Sequence, residues 1–137
     1  MATKIFVNLP VRDLNRSVEF FTGVGFRFDA RFSDEKAACM IISDDIFAML
    51  LVDSFFTTFT PKELADTSKT TEVIVALSAD SREQVDTLVD RAMAGGATPA
   101  GEPHDESFMY YRSFFDLDGH HWEVNYMEMP EDGQATE

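Results

Sequence analysis

Near the end of the chain, His121, Glu123 and Asn125 recur at every second position, with the apolar Trp122 and Val124 between them. In an extended strand this alternation sets the imidazole, the carboxylate and the amide on one face and the apolar pair on the other. A carboxylate and an imidazole on a common face are residue types for proton transfer, for hydrogen bonding a ligand, or for binding a divalent metal. Alternate strand residues stand about 7 Å apart at Cα, so a single metal would reach all of them only through convergent rotamers. Slightly upstream, Phe108-Met109-Tyr110-Tyr111-Arg112 joins aromatic surface to a cation. Arg112 is suited either to orienting a ligand carboxylate or to pairing with one of the nearby acids or a partner subunit. Cys39, between Ala38 and Met40, has no activating neighbour and reads as a small core residue. His104 reads as a loop residue and His120 as part of a turn. No Gly-rich phosphate loop, Cys-x-x-Cys pair or Gly-x-Ser-x-Gly elbow occurs, which leaves those enzyme classes without support.

The elements that must carry these residues follow from hydrophobic periodicity. Residues 3–9 alternate, with Ile5, Val7 and Leu9 on one side and Lys4, Phe6 and Asn8 on the other, which predicts a strand. From Asp13 the period changes: Leu14, Val18 and Phe21 recur at helical spacing, Asp13 is a capping residue, and Gly23 and Gly25 stop the run. Phe26–Phe32, Ala37–Ser43 and Ile46–Val52 are β-like, divided by polar turn-prone stretches. Residues 53–70 lose the alternation and form the linker candidate; Thr60-Pro61-Lys62-Glu63 has the composition of a helical start. The apolar run Glu72–Leu77, the cap Asp80-Ser81-Arg82-Glu83 and the stripe Val85, Leu88, Val89 and Ala92 then repeat the opening strand and helix. A loop over 98–107 leads to strands near 108–115 and 120–127, joined by Asp116-Leu117-Asp118-Gly119. Laying Lys4–Asp13 over Glu72–Ser81 matches strand to strand and cap to cap, the mark of an internal duplication of a βαβββ unit. One such unit is too small to close a core alone, whereas two can enclose a cleft.

Composition bounds the function. The chain has 137 residues with 45% hydrophobic and 26% charged side chains, as expected of one globular domain. Its formal charge is −14, and residues 60–137 hold five basic against seventeen acidic side chains. Such a field repels phosphate backbones and anionic bilayers, so neither nucleic acid nor membrane is an expected partner. A single cysteine and the absence of a signal-like apolar run near Met1 fit a cytoplasmic protein. The Phe55-Phe56-Thr57-Thr58-Phe59 segment is difficult to hide in a linker and suggests a dimer surface or a pocket lid.

Val7-Asn8-Leu9-Pro10-Val11-Arg12-Asp13-Leu14, followed by Ser17, Phe20-Phe21 and Gly25-Phe26, resembles the opening of a vicinal oxygen chelate protein. Asp116-Leu117-Asp118-Gly119-His120-His121-Trp122-Glu123 resembles that superfamily's turn into its last strand. The resemblance spans about residues 4–127 and takes in glyoxalase I, extradiol dioxygenases, fosfomycin-resistance enzymes and bleomycin-binding proteins. It implies an α+β fold of tandem βαβββ modules, with mixed sheets curving around a cleft. The expected modules are about 3–52 and 71–127, with a linker over 53–70 and a flexible acidic tail over 128–137.

The resemblance also implies metal ligands on the first and last strand of each module. Transferred residue by residue, those places hold Asn8, Met49, Ala76 and Glu123. Met49 and Ala76 are not ligands for a hard metal, so Glu123 alone keeps the expected chemistry and the quartet is incomplete. A bound cofactor is therefore not expected, although a divalent metal on Glu123 stays open, as does a cluster of Asn8, His121, Glu123 and Asn125. The leading expectation is a protein binding a small organic molecule in an aromatic-lined cleft. Glu123 and His121 are the candidates for chemistry, and Asn8, Phe6, Phe47, Met49, Arg112 and Asn125 for ligand contact. A homodimer is the expected assembly. The alternatives are a metal-dependent lyase or dioxygenase using Glu123 as ligand or base, and a non-catalytic dimeric interaction module.

Overall fold

The computed structural model describes residues 3–128. The first unit consists of β1 (Ile5–Val11), α1 (Leu14–Val24), β2 (Arg27–Asp29), β3 (Ala37–Ser43) and β4 (Ile46–Val52). After the short α2 (Asp53–Phe56) and an irregular connection, the second unit consists of β5 (Ile74–Ser78), α3 (Arg82–Ala94), β6 (Thr98–Pro99), β7 (His104–Glu106), β8 (Met109–Phe115) and β9 (His121–Met127). The first sheet runs β1-β4-β3-β2 and the second β5-β9-β8-β6, with β7 also paired to β8. In each sheet the first strand lies parallel to the last, β1 with β4 and β5 with β9. The helix caps repeat as well: the Asp13 carboxylate accepts from Arg16 N–H at 3.1 Å, and Ser81 Oγ accepts from Gln84 N–H at 3.0 Å. The duplication is thus a property of the fold, which is α+β with two βαβββ-like repeats forming mixed sheets.

Alternation assigns each sheet a helix-covered face and an open face. On the covered faces Leu9, Val11, Met40, Ala48 and Leu50 meet Phe20, Phe21 and Val24 of α1, and Phe114, Trp122 and Val124 join Val85, Val89 and Ala92 of α3 in one buried cluster. Burial of each large side chain is worth roughly 1.5–3 kcal/mol. The units meet through these covered faces, with Phe20 on Phe114 at 6.4 Å and Phe21 on Trp122 at 5.3 Å between ring centroids.

The turn between β8 and β9 locks the two units together. Asp118 is buried and accepts from Arg12 N–H at 2.9 Å and from Ser17 Oγ–H at 2.8 Å, both in the first unit. Asp116 stays within its own turn, accepting from Asp118 N–H, His120 N–H and the Trp122 indole at 2.9, 3.0 and 2.9 Å. Gly119 has φ +83°, and a Cβ there would stand 2.7 Å from Thr67 Oγ1. Thr67 belongs to the connection, and its hydroxyl donates to the Asp118 carbonyl at 2.6 Å.

Several local expectations are corrected. Of Phe26–Phe32 only Arg27–Asp29 is strand; Ala30–Phe32 turns into a 3₁₀ helix because Asp29 Oδ1 accepts from Arg31 N–H at 3.0 Å. The helical start expected at Thr60-Pro61-Lys62-Glu63 is an irregular turn in which Thr60 Oγ1 accepts from Lys62 N–H at 3.2 Å; the helix lies earlier, at Asp53–Phe56. The loop over 98–107 contributes β6 and β7 to the second sheet. Apart from Glu128, the expected acidic tail over 128–137 lies outside the described residues. Among those described, no helix is long and apolar enough to cross a membrane.

Candidate functional site

On β9, Trp122 and Val124 are buried against the helices, while His121, Glu123 and Asn125 are half-buried on the open face. Asn125 Nδ2–H donates to Glu123 Oε2 at 3.1 Å, so the carboxylate is oriented from within its own strand. Antiparallel pairing with β8 brings Phe115 opposite His121, Ser113 opposite Glu123 and Tyr111 opposite Asn125. Directly opposed side chains lie about 5 Å apart at Cβ, so Ser113 and Tyr111 belong to the same polar patch. The His104 ring stacks on Tyr111 at 4.9 Å and the Phe115 ring meets His121 edge-on at 5.1 Å. On the other side of β9, Ala76 of β5 lies opposite Glu123 and is exposed. Sequence reasoning missed Tyr111 and Ser113 although the signal was present: counting back through the hairpin from Asp116–Gly119 places Phe115, Ser113 and Tyr111 on the Glu123 face.

The open face of the first sheet has a different character. Asn8 of β1 lies opposite Met49 of β4, and Phe6 opposite Phe47. The Phe6 and Phe47 rings stack at 4.8 Å with an interplanar angle of 11°. Phe6 is 49% exposed, a large aromatic surface left in water. Asn8 is exposed, and its Nδ2–H donates to the Phe6 carbonyl at 3.2 Å. This wall is aromatic and apolar with one amide and with the Lys4 ammonium 5.7 Å from the centre of the Phe47 ring, whereas the wall bearing Glu123 is polar.

Within one chain the two walls belong to different sheets. The units join through their helix-covered faces, and the cavities that flank this junction and the Asp116–Gly119 turn are lined by neither Asn8 nor Glu123. Phe6, Phe47 and Met49 thus lie on the first sheet and Glu123 on the second.

Arg112 takes up the pairing with nearby acids, one of the two roles its sequence position offers. It pairs with Val124 across the hairpin and so lies on the helix-covered side, where its Nη1 donates to Asp86 at 3.0 Å and to Asp90 at 2.9 Å on α3. It docks α3 on β8, which takes it away from Glu123 and from ligand orientation. Cys39 is buried opposite Met49, and burial together with the Asp29 charge pushes its thiol up, as suits an inert core residue. His120 is buried with Nε2 2.6 Å from the Pro10 carbonyl, tying the turn to β1.

Residues 5–124 match the sequence profile of the Glyoxalase/Bleomycin resistance protein/Dioxygenase superfamily. The chain belongs to this superfamily. Solved structures agree with the fold. Hypothetical protein SA1046 from S. aureus is 27% identical with a TM-score of 0.75, over 93% of this chain and 94% of that one. TnmS3, an antibiotic binding protein from Streptomyces sp. CB03234, is 18% identical with a TM-score of 0.67, over 93% and 98%. The fosfomycin resistance protein FosX from Listeria monocytogenes is 20% identical with a TM-score of 0.69, over 98% and 99%. No curated protein matches the chain.

The superfamily's metal-binding places can be tested against these residues. Asn8 and Met49 face one another on the first sheet, and Ala76 and Glu123 on the second. Among the described residues, no group of three or more His, Cys, Asp or Glu side chains is arranged to hold a metal ion. Bringing the two sheets together from different chains would still supply only Asn8 and Glu123 from those places, with His121 about 7 Å along the strand. This donor set does not fit a resident divalent metal, which needs three or four N or O donors.

Proposed function

We propose that this superfamily member binds a small organic molecule without a metal, in a cleft formed between two copies of the chain. The open Phe6–Phe47 face of one copy forms one wall, and the Glu123 face of the other copy forms the opposite wall. The observation that carries this reading is the pair of uncovered faces of unlike chemistry: a stacked aromatic platform left half in water, and a polar patch centred on a carboxylate. A closed symmetric dimer covers both faces twice over with one kind of contact. The ligand that suits such walls has a flat apolar body and a hydrogen-bond-donating or cationic edge. The body stacks on Phe6 and Phe47, the edge donates to Glu123, and the acidic field of the chain, −14 overall, concentrates cations near it.

Within this reading Glu123 is held by Asn125 to accept a proton-bearing group, Ser113 and Tyr111 supply hydroxyls beside it, and His121 borders the patch next to Phe115. Proflavine, a planar aromatic cation, is a direct probe. Its fluorescence should change saturably with the wild-type protein, and Glu123→Gln should weaken binding about tenfold or more. Equal binding by wild type and variant would remove Glu123 from the site. A stoichiometric divalent metal in protein purified without chelator, lost in Glu123→Gln, would instead establish metal-dependent chemistry of the lyase or dioxygenase kind.

A further inference from the structure

One of the cavities that flank the junction lies in the seam between the two units, at the β2–β3 edge of the first sheet, where Arg27 pairs with Ile41 and Ile41 with Phe47. It has a volume of about 400 Å³ and is bounded by α3 on one side, and by residues 24–27 and the end of β3 with its turn, residues 41–44, on the other. Val24, Phe26, Ile41 and Leu88 contribute an apolar floor; Val24 is buried and the others are half-buried. Arg27 and Arg91 line the same cavity, with Asp44 as the only acid. Gly25 makes room for one of them, since a Cβ at that position would stand 3.3 Å from Arg91 Nη1.

What sets these two arginines apart is that they line one cavity together; Arg16, Lys36, Lys62 and Lys69 likewise form no salt bridge among the described residues. The chain has 25 acidic and only 11 basic side chains. Lys4, Arg12, Arg31, Arg82 and Arg112 each pair with an aspartate. Among the described residues, neither Arg27 nor Arg91 forms a salt bridge or a side-chain hydrogen bond, although acids are plentiful. A groove that is net cationic in a strongly anionic molecule, over an apolar floor, is matched by an amphipathic anion. A planar guanidinium holds a carboxylate through two parallel N–H donors, and the hydroxyls of Ser43 and Thr87 add uncharged donors at the rim. Phosphate would satisfy the cations but leave the apolar floor in water.

We propose that this seam binds a small organic carboxylate with an apolar body, its carboxylate between Arg27 and Arg91 and its body on Val24, Phe26 and Leu88. Because the groove is built half from each unit, such a ligand joins α3 to the first sheet.

The test is titration of the full chain with 2-naphthoate, with the uncharged 2-naphthamide as control, read by naphthalene fluorescence and by thermal midpoint. Saturable binding of one naphthoate per chain is expected, about tenfold weaker for each of Arg27→Gln and Arg91→Gln and weaker still for the double variant. Both arginines are exposed, so the variants should keep the wild-type circular dichroism and melting. Glu123→Gln should leave naphthoate binding unchanged, which separates this site from the Glu123 cleft. Absence of saturation by about 10 mM, equal affinity for naphthamide, or binding indifferent to the double variant would overturn the proposal.

Discussion

Asp116 and Asp118 are two residues apart in one turn, yet each secures a different part of the molecule. Asp116 is buried and satisfies three N–H donors, those of Asp118, His120 and Trp122. Burial pushes its carboxyl up, opposed by the nearby His120 and by the donors themselves. Asp116→Ala leaves the indole and two backbone N–H groups buried without partners, and should destabilise the protein by about 2–4 kcal/mol in urea unfolding. A loss below about 1 kcal/mol would mean that water replaces the carboxylate. At this scale the sequence was only partly legible. Asp-Leu-Asp-Gly announces a tight turn, and Gly119 is required by its positive φ and by Thr67. That Asp118 reaches Arg12 and Ser17 depends on two segments about a hundred positions apart in sequence being packed together, which no local pattern encodes.

The elements were more legible because their periods are unambiguous. Leu14, Phe21 and the Asp13 cap specify α1; the return of the same grammar at Ser81 specifies α3; and the alternation of Ile5 to Val11 specifies β1. Short pieces escaped where one side chain outweighs the pattern. Asp29 bends the end of an apolar run by capping Arg31 N–H, and β6 and β7 exist because the edge of β8 is available to pair with. Arg112 shows how a face is lost: its place among aromatics suggests a binding surface, while its pairing with Val124 across the hairpin turns it towards α3. There Asp86 is held below the usual carboxylate range, first by the Tyr110 hydroxyl and then by Arg112. A lowered native value means that this contribution is complete above the unfolded pKa of about 3.9 and fades as pH falls through the native value. Exposure of Asp86 limits it to about 0.5–1 kcal/mol. Comparing wild type with Asp86→Asn, the stability advantage of wild type should be present at pH 6 and shrink on acidification towards pH 3, both roughly placed by that pKa. An advantage that stays constant over this range would show that the Arg112 network does not respond to the Asp86 charge.

At the scale of the whole molecule, one chain makes a single core from the covered faces of both units and leaves two unlike faces open. The aromatic stack of Phe6 on Phe47 and the polar patch around Glu123 are complementary in chemistry and lie on different sheets. The residues of both faces were visible in the sequence, since alternation alone sorts Phe6 and Asn8 from Leu9, and Glu123 from Trp122. Their relation was not, because it depends on how Phe20 and Phe21 pack the units together. In the proposed cleft a second copy brings the faces into register. Mixing two disabled variants tests this most directly. Phe6→Lys spoils the aromatic wall and Glu123→Lys the polar one, so neither protein alone should bind proflavine. After subunit exchange, each mixed dimer should contain one cleft with two spoiled walls and one with two intact walls, restoring about a quarter of the wild-type sites. A mixture that binds no more proflavine than its separate components, under conditions where wild type binds and subunits exchange, would contradict a cleft shared between copies.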